Sequence, residues 1–162
     1  LPVDTAVAAS FPSPIDAEIP VEYVDCTAIP ADQMGLDIGP KAAAEFAAAA
    51  KAAKTAREHN PENGLAYFFL AQAYAATTGG CQGIDKNAAY WAAYDMMSQA
   101  RKLMETDEEM KSIVEVADKM MGAYRGGFPT AEDGFFNDLK AGQGYTVKCG
   151  LAAGTSTTVR FK

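Results

Sequence analysis

A chain of 162 residues with 49% apolar and 22% charged side chains has the size and composition of one globular domain. Its 14 bases and 21 acids leave a formal charge of −7, which argues against nucleic acid or an anionic lipid surface as the main partner, since both are met by clustered Lys and Arg. The alanine-rich runs are interrupted by Lys41, Glu45, Lys51 and Lys54, so none reaches the ~20 apolar residues of a membrane span.

The acidic excess is local. Residues 1–40 carry seven acids (Asp4, Asp16, Glu18, Glu22, Asp25, Asp32 and Asp37) and no Lys or Arg, while 14 acids and 14 bases balance over the rest. The same segment holds six of the eight prolines, each of which removes a backbone donor and disfavours helix in the residue before it. These features predict an acidic, proline-rich extended arm over 1–40. Ile19, Val21 and Tyr23 alternate within it and could add a strand to a sheet formed elsewhere. The chain opens at Leu1 without a basic stretch leading into an apolar run, so any targeting peptide is expected to have been removed already.

From Lys41 to His59 a helix is expected. Ten of the fifteen residues 42–56 are Ala, the strongest helix former, Phe46 is the one bulky anchor, and Asn60-Pro61 ends the run. Small side chains on this helix suit close packing against a neighbour. A second helix runs from Leu65 to Thr77, with Tyr67, Leu70, Ala71 and Tyr74 spaced to share one buried face. The string Thr77-Thr78-Gly79-Gly80-Cys81-Gln82-Gly83 reads as a flexible loop. Asn87 to Met104 forms a third helix around Trp91, Tyr94, Met97, Ala100 and Leu103. Asp107 to Tyr124 forms a fourth, with acids suited to its positive N-terminus and Ile113, Val116, Ala117, Met120 and Tyr124 turned inward.

Gly126-Gly127-Phe128-Pro129 ends that helix. Thr130, with Asp133 three residues on, then opens a short fifth helix through Phe135, Phe136 and Leu139 in the manner of a capping box. Beyond Gly142 the period switches to two, with Tyr145 and Val147 in one run and Thr157, Val159 and Phe161 in another, which predicts a β-hairpin. The division that results is an arm over 1–40, a helical region over 41–141 and a hairpin packed on the helices over 142–162.

The chemistry-bearing residues are sparse. Cys26, Cys81 and Cys149 are widely spaced without a CxxC and His59 is the single His, so a zinc site of the usual Cys/His kind cannot be assembled. The three cysteines are either free thiols, or two pair and one is left over. His59 beside Glu58 does not form an acid/base pair, because neighbours in sequence point apart on a helix and a His at a helix C-terminus suits the dipole. The acids of the arm lack the spacing of a calcium loop. Gly79 to Gly83 lacks the Lys-Ser/Thr ending of a phosphate loop and a strand before it. No catalytic residue, cofactor or metal is expected. Trp91 with Tyr90 and Tyr94, and the methionines Met96, Met97, Met120 and Met121, read as core rather than as a ligand platform or an adaptable groove.

Ala49, Ala53, Ala56 and Pro61, followed by Tyr67, Leu70, Ala71 and Tyr74, fall at the offsets of a 34-residue helix-turn-helix unit and resemble the tetratricopeptide repeat family. Ala93, Met97 and Ala100 resemble the second helix of the next unit. The loop around Cys81 makes that unit too long, and Lys111 and Asp118 stand where large apolar residues are usual. The strings Ala88-Ala89-Tyr90-Trp91-Ala92-Ala93-Tyr94-Asp95, Phe128 to Phe136, Gly142 to Val147 and Thr157 to Arg160 are similar to the C-terminal end of exported tetratricopeptide-repeat proteins of Bacteroidetes-type envelopes.

This resemblance implies a mainly α fold of four to five helices in antiparallel hairpins, closed by a small C-terminal β-hairpin cap. It also implies a disulfide between Cys81 and Cys149. Cys26 to Cys149 is the pairing expected instead if the arm is a neighbouring strand, and three reduced thiols are the third possibility. Phe128, Phe135, Phe136 and Tyr145 are the contacts expected to dock the cap, because a terminal repeat exposes an apolar face that needs a lid. The implied function is a non-catalytic protein-interaction or scaffold module, exported to the periplasm or cell envelope. Its groove would be lined by Leu65, Phe68, Gln72 and Ala75. No Lys or Arg lies between Glu58 and Asp85, so an apolar or extended protein or peptide segment fits better than an acidic tail. Two other readings stand beside it: a self-assembling unit that dimerises or swaps its arm, and a small-ligand-binding helical domain built around Trp91 and the tyrosines.

Overall fold

The computed structural model describes residues 39–162. The arm, its possible strand at Ile19 to Tyr23, and Cys26 lie outside the described residues. The described part is mainly helical, with a two-stranded antiparallel sheet at its C-terminal end. In chain order it contains α1 (Gly39–His59), α2 (Gly64–Ala76), α3 (Gly83–Met104), a 3-10 turn (Glu108–Met110), α4 (Lys111–Gly126), α5 (Ala131–Phe136), β1 (Gly144–Thr146) and β2 (Ser156–Thr158). Among these residues no helix is long and apolar enough to cross a membrane.

Each helix packs on the next in sequence: α1 on α2, α2 on α3, α3 on α4. The connections over 60–63 and 77–82 are short, and a short connection returns a helix along its predecessor. The α1–α2 turn is set locally. The Asn60 side chain accepts from the Glu62 N–H at 3.1 Å, and Asn63 caps α2 by accepting from the Ala66 N–H. As the middle layer, α2 is apolar nearly all round and buries both its flanks: Leu70, Ala71 and Tyr74 are in the core as their spacing requires, and so are Phe68, Ala73, Ala75 and Ala76.

Three expectations about the helices change. First, α3 begins at Gly83 rather than Asn87, and the loop before it is pinned rather than loose. The fully buried Thr78 hydroxyl lies between the Ala75 carbonyl (3.2 Å) and the Tyr90 hydroxyl (3.3 Å), and the Cys81 N–H donates to the Thr78 carbonyl at 2.9 Å. Counting glycines and threonines missed this because the anchors lie on another element. Second, α4 is preceded by a 3-10 turn capped by Asp107, which accepts from the Glu109 N–H. Third, Val116 does not turn inward: α4 packs mainly on α3, and Val116 is 39% exposed while Ala117 and Tyr124 are fully buried. Asp118 pairs with Arg101 of α3 on the exposed side.

The hairpin pairs Gly144 with Thr158, Tyr145 with Thr157 and Thr146 with Ser156, and β2 lies against α3. Its inward residues Val147 and Val159 belong to the core with Trp91, and Thr157 is buried as well. The Trp91 Nε1–H donates to the Arg160 carbonyl at 2.8 Å and its ring meets Tyr145 edge-on at 5.5 Å. Asp95, one turn further along α3, accepts from the Thr157 hydroxyl and the Arg160 guanidinium, both at 2.6 Å. Tyr145 donates to Asp85 at the start of α3 at 3.1 Å. Burial and the Asp85 carboxylate both hold the Tyr145 phenol above its ordinary value. The cap is therefore tied to the first half of α3, from Asp85 to Asp95, through polar groups whose pairing could not be read from either segment alone.

Cys81 and Cys149 form a disulfide across 68 residues of sequence, joining the α2–α3 loop to the hairpin loop. This excludes Cys149 as a partner for Cys26 and removes the reading of three reduced thiols.

The docking contacts of the cap need correction. Phe128 is buried and Tyr145 packs on Trp91, but Phe135 and Phe136 point outward, 77% and 73% exposed. The reason lies in α5. Thr130 and Asp133 form the full reciprocal capping box, with the Thr130 N–H donating to Asp133 at 2.9 Å, and this sets the helix so that Gly134 faces inward. A Cβ at position 134 would run into the Phe161 ring, so Phe161, three residues beyond β2, takes the contact expected of Phe136. Changing Phe136 to Ser is accordingly expected to shift unfolding free energy by no more than about 0.5 kcal/mol in urea titration, as for other exposed positions. The Asp133 carboxyl is held below its usual range, first by the Thr130 N–H and then by the Thr130 hydroxyl. The capping contribution is thus complete at neutral pH, begins to fade at the ordinary aspartate value and is lost as pH falls through the depressed one, so a carbon-13 carboxyl titration should place Asp133 below the ordinary aspartate value.

Candidate functional site

The candidate site lies between α1 and α2. On α1, Ala49, Ala52, Ala53 and Ala56 recur at helical spacing and present nothing beyond a Cβ, so the wall they make is shallow. Opposite them on α2 stand Leu65, Ala66, Phe69 and Gln72, again one face of a helix. Phe46 and Asn63 complete the lining, and the space enclosed is about 310 Å³. The cause is in the composition: alanines pack the two backbones along one seam but cannot fill the angle between the helices. On the other side of α1 the same angle is filled by long side chains, with the Arg57 guanidinium over the Tyr67 ring (5.5 Å) and the Lys54 ammonium over Tyr74 (6.0 Å).

Of the four groove residues expected from the sequence, Leu65 and Gln72 line this space. Phe68 and Ala75 do not; they are buried in the core. The missed residue is Phe69, 38% exposed, which meets Phe68 edge-on at 5.6 Å. The signal that would have found it was the spacing of 65, 69 and 72 on α2 opposite 49, 52, 53 and 56 on α1.

Among the described residues no acid, base or nucleophile lines the groove. Among the described residues no group of three His, Cys, Asp or Glu is placed to hold a metal ion. His59 and Glu58 are exposed at the end of α1. Trp91 is fully buried and Tyr90 nearly so, which leaves no ring face of either for a ligand. Tyr94 is half-buried with the Arg125 and Arg160 guanidiniums each 5.4 Å from its ring centre. Burial pushes the Tyr124 hydroxyl well above its ordinary value, and the Tyr90 hydroxyl more modestly, so neither is a proton donor or acceptor of use near neutral pH. Met97 and Met104 are core residues, and Met96, Met120 and Met121 pack against it.

No family model matches the chain, and no solved structure matches it. Among curated proteins, an 80-residue stretch is 42% identical to phosphoglycerate kinase of Mycobacterium ulcerans (strain Agy99). That similarity covers 49% of this chain, and the chain spans 17% of the length of that protein.

Proposed function

We propose that the chain is a non-catalytic protein-interaction module of a bacterial envelope, similar in kind to tetratricopeptide-repeat scaffolds, which holds an apolar or extended partner segment in the α1–α2 groove. The observation that carries this reading is the groove itself: an open apolar space with Phe69 at its edge and, among the described residues, no titratable group in its lining. A site for acid-base or nucleophilic chemistry needs such groups, whereas a docking groove needs apolar surface with a few orienting amides, here Asn63 and Gln72. An exported setting is supported by the Cys81–Cys149 disulfide, because such bonds persist in oxidising compartments.

The test is capture from the envelope fraction of the source organism with the wild-type chain and with Ala52→Trp, which places a large ring on an exposed position of the groove wall. Proteins retained by the wild type and lost by a folded Ala52→Trp chain are the expected result. Equal retention by both would overturn the groove as the docking site.

A second reading, self-assembly, has one observation in its favour: the exposed Phe135–Phe136 pair, ring centres 5.8 Å apart. Light scattering should then show mass rising with concentration, and Phe136→Ser should abolish the rise. A monomer at all concentrations removes this reading.

A further inference from the structure

Among the described residues the two most exposed large apolar side chains are Phe135 and Phe136, and both stand on a short helix whose ends are locked. The Thr130–Asp133 capping box closes the start of α5. A Schellman motif closes its end: the Leu139 N–H donates to the Gly134 carbonyl at 2.9 Å and the Asp138 N–H to the Phe135 carbonyl at 3.2 Å, with Asp138 left-handed at φ 56°. On the inner side Gly134 lies against the Phe161 ring. The pair is thus held outward on a rigid base, which spares it the ordering cost that a flexible anchor meets on binding.

The α1–α2 groove is a receptor of matching size. An apolar cavity of about 150 Å³ takes one benzene ring, and the groove offers about 310 Å³ between its alanine and leucine walls, room for two rings. The ring centres of the pair are 5.8 Å apart, well within the ~15 Å that α1 spans from Phe46 to Ala56, so both rings fit along the groove with Phe69 at its edge. No charged side chain among the described residues lines the groove, so seating the rings buries no charge from its walls. Within one molecule the two features do not meet: α5 is fixed against Phe161, both rings stand in solvent, and α5 has no close packing with α1 or α2.

We propose that the α1–α2 groove receives the Phe135–Phe136 pair of a second copy of this chain. This rests on the groove being a docking site and names its occupant. An anchor on one face that fits a pocket on another makes a head-to-tail contact, which repeats from copy to copy unless the rotation closes a ring. The area sets its strength. At ~200 Å² for each Phe side chain, the largely exposed pair brings about 300 Å², and the groove walls about as much again, half of the ~1,200 Å² at which stable complexes begin. The contact is therefore weak and reversible, and forms where the chain is concentrated.

The test uses the full chain, Ala52→Trp to fill the groove, and Phe135→Ser/Phe136→Ser to remove the pair. All three positions are exposed, so both variants should melt with the wild type. In sedimentation equilibrium up to about 1 mM the wild-type mass should rise with concentration, while each variant alone stays at the monomer mass. An equimolar mixture of the two variants should form dimers and stop there, because one brings an intact pair, the other an intact groove, and no further contact remains. A symmetric contact between two Phe pairs predicts otherwise: Ala52→Trp would assemble like the wild type. That result, a mixture that stays monomeric, or a wild type that is monomeric throughout overturns the proposal. Envelope capture separates this failure from failure of the groove. If only the occupant is wrong, folded Ala52→Trp still loses the proteins that the wild type retains; if the groove is wrong, it retains them.

Discussion

Cys149→Ser is expected to lower the unfolding free energy by about 4 kcal/mol, the loop-closure contribution of a bond spanning 68 residues. The bond joins the loop before α3 to the loop between β1 and β2, so without it the unfolded chain regains the freedom to separate the cap from the α2–α3 corner. The native contacts of the cap remain: Trp91 to Arg160, Asp95 to Thr157 and Arg160, and Asp85 to Tyr145. The variant should therefore fold to the same structure and melt about 10 °C lower. Urea titration of four samples checks this. Reductant should destabilise the wild type by the amount that Cys149→Ser does, and should leave Cys149→Ser unchanged. Equal midpoints for oxidised and reduced wild type would show that the bond does not constrain the unfolded state.

Trp91→Ala is expected to cost about 3–5 kcal/mol, in the range of large aromatic truncations in a packed core. Trp91 is fully buried where α3 meets the hairpin, and its loss removes the ring that Tyr145 packs against and the donor to the Arg160 carbonyl. Trp91→Phe separates the two contributions. It keeps most of the volume but leaves the Arg160 carbonyl without its indole donor, and should cost about 1–3 kcal/mol. Because Trp91 is the single tryptophan, unfolding of both variants is followed by far-ultraviolet circular dichroism rather than emission. If Trp91→Ala unfolds at the wild-type midpoint, the hairpin is not held by α3 in the way described.

Secondary structure was largely legible in the chain because its determinants are local. The alanine run of α1, the 3- and 4-residue spacing of Leu70, Ala71 and Tyr74, the Thr130–Asp133 capping box and the alternation around Val147 and Val159 each act within a few residues. The Cys81–Cys149 bond followed from a family resemblance, since spacing alone leaves the pairing of three cysteines open. Side-chain direction at α5 was read wrongly. Phe135 and Phe136 look like core on hydrophobicity, but the inward position went to Gly134, and the reason is Phe161, far away in sequence. The groove shows the same limit: Phe68 and Ala75 belong to the right helix, but only the angle at which α1 crosses α2 decides that Phe69 looks into the open side and Phe68 into the core.

The sequence by itself determined the class of the fold and the order of its elements, because propensity and periodicity depend only on local composition. The tertiary structure decided which polar groups clamp the hairpin to α3, which aromatic side chains face water, and where alanines leave a groove. Those outcomes depend on how side chains from distant segments share one volume, and no local pattern encodes that.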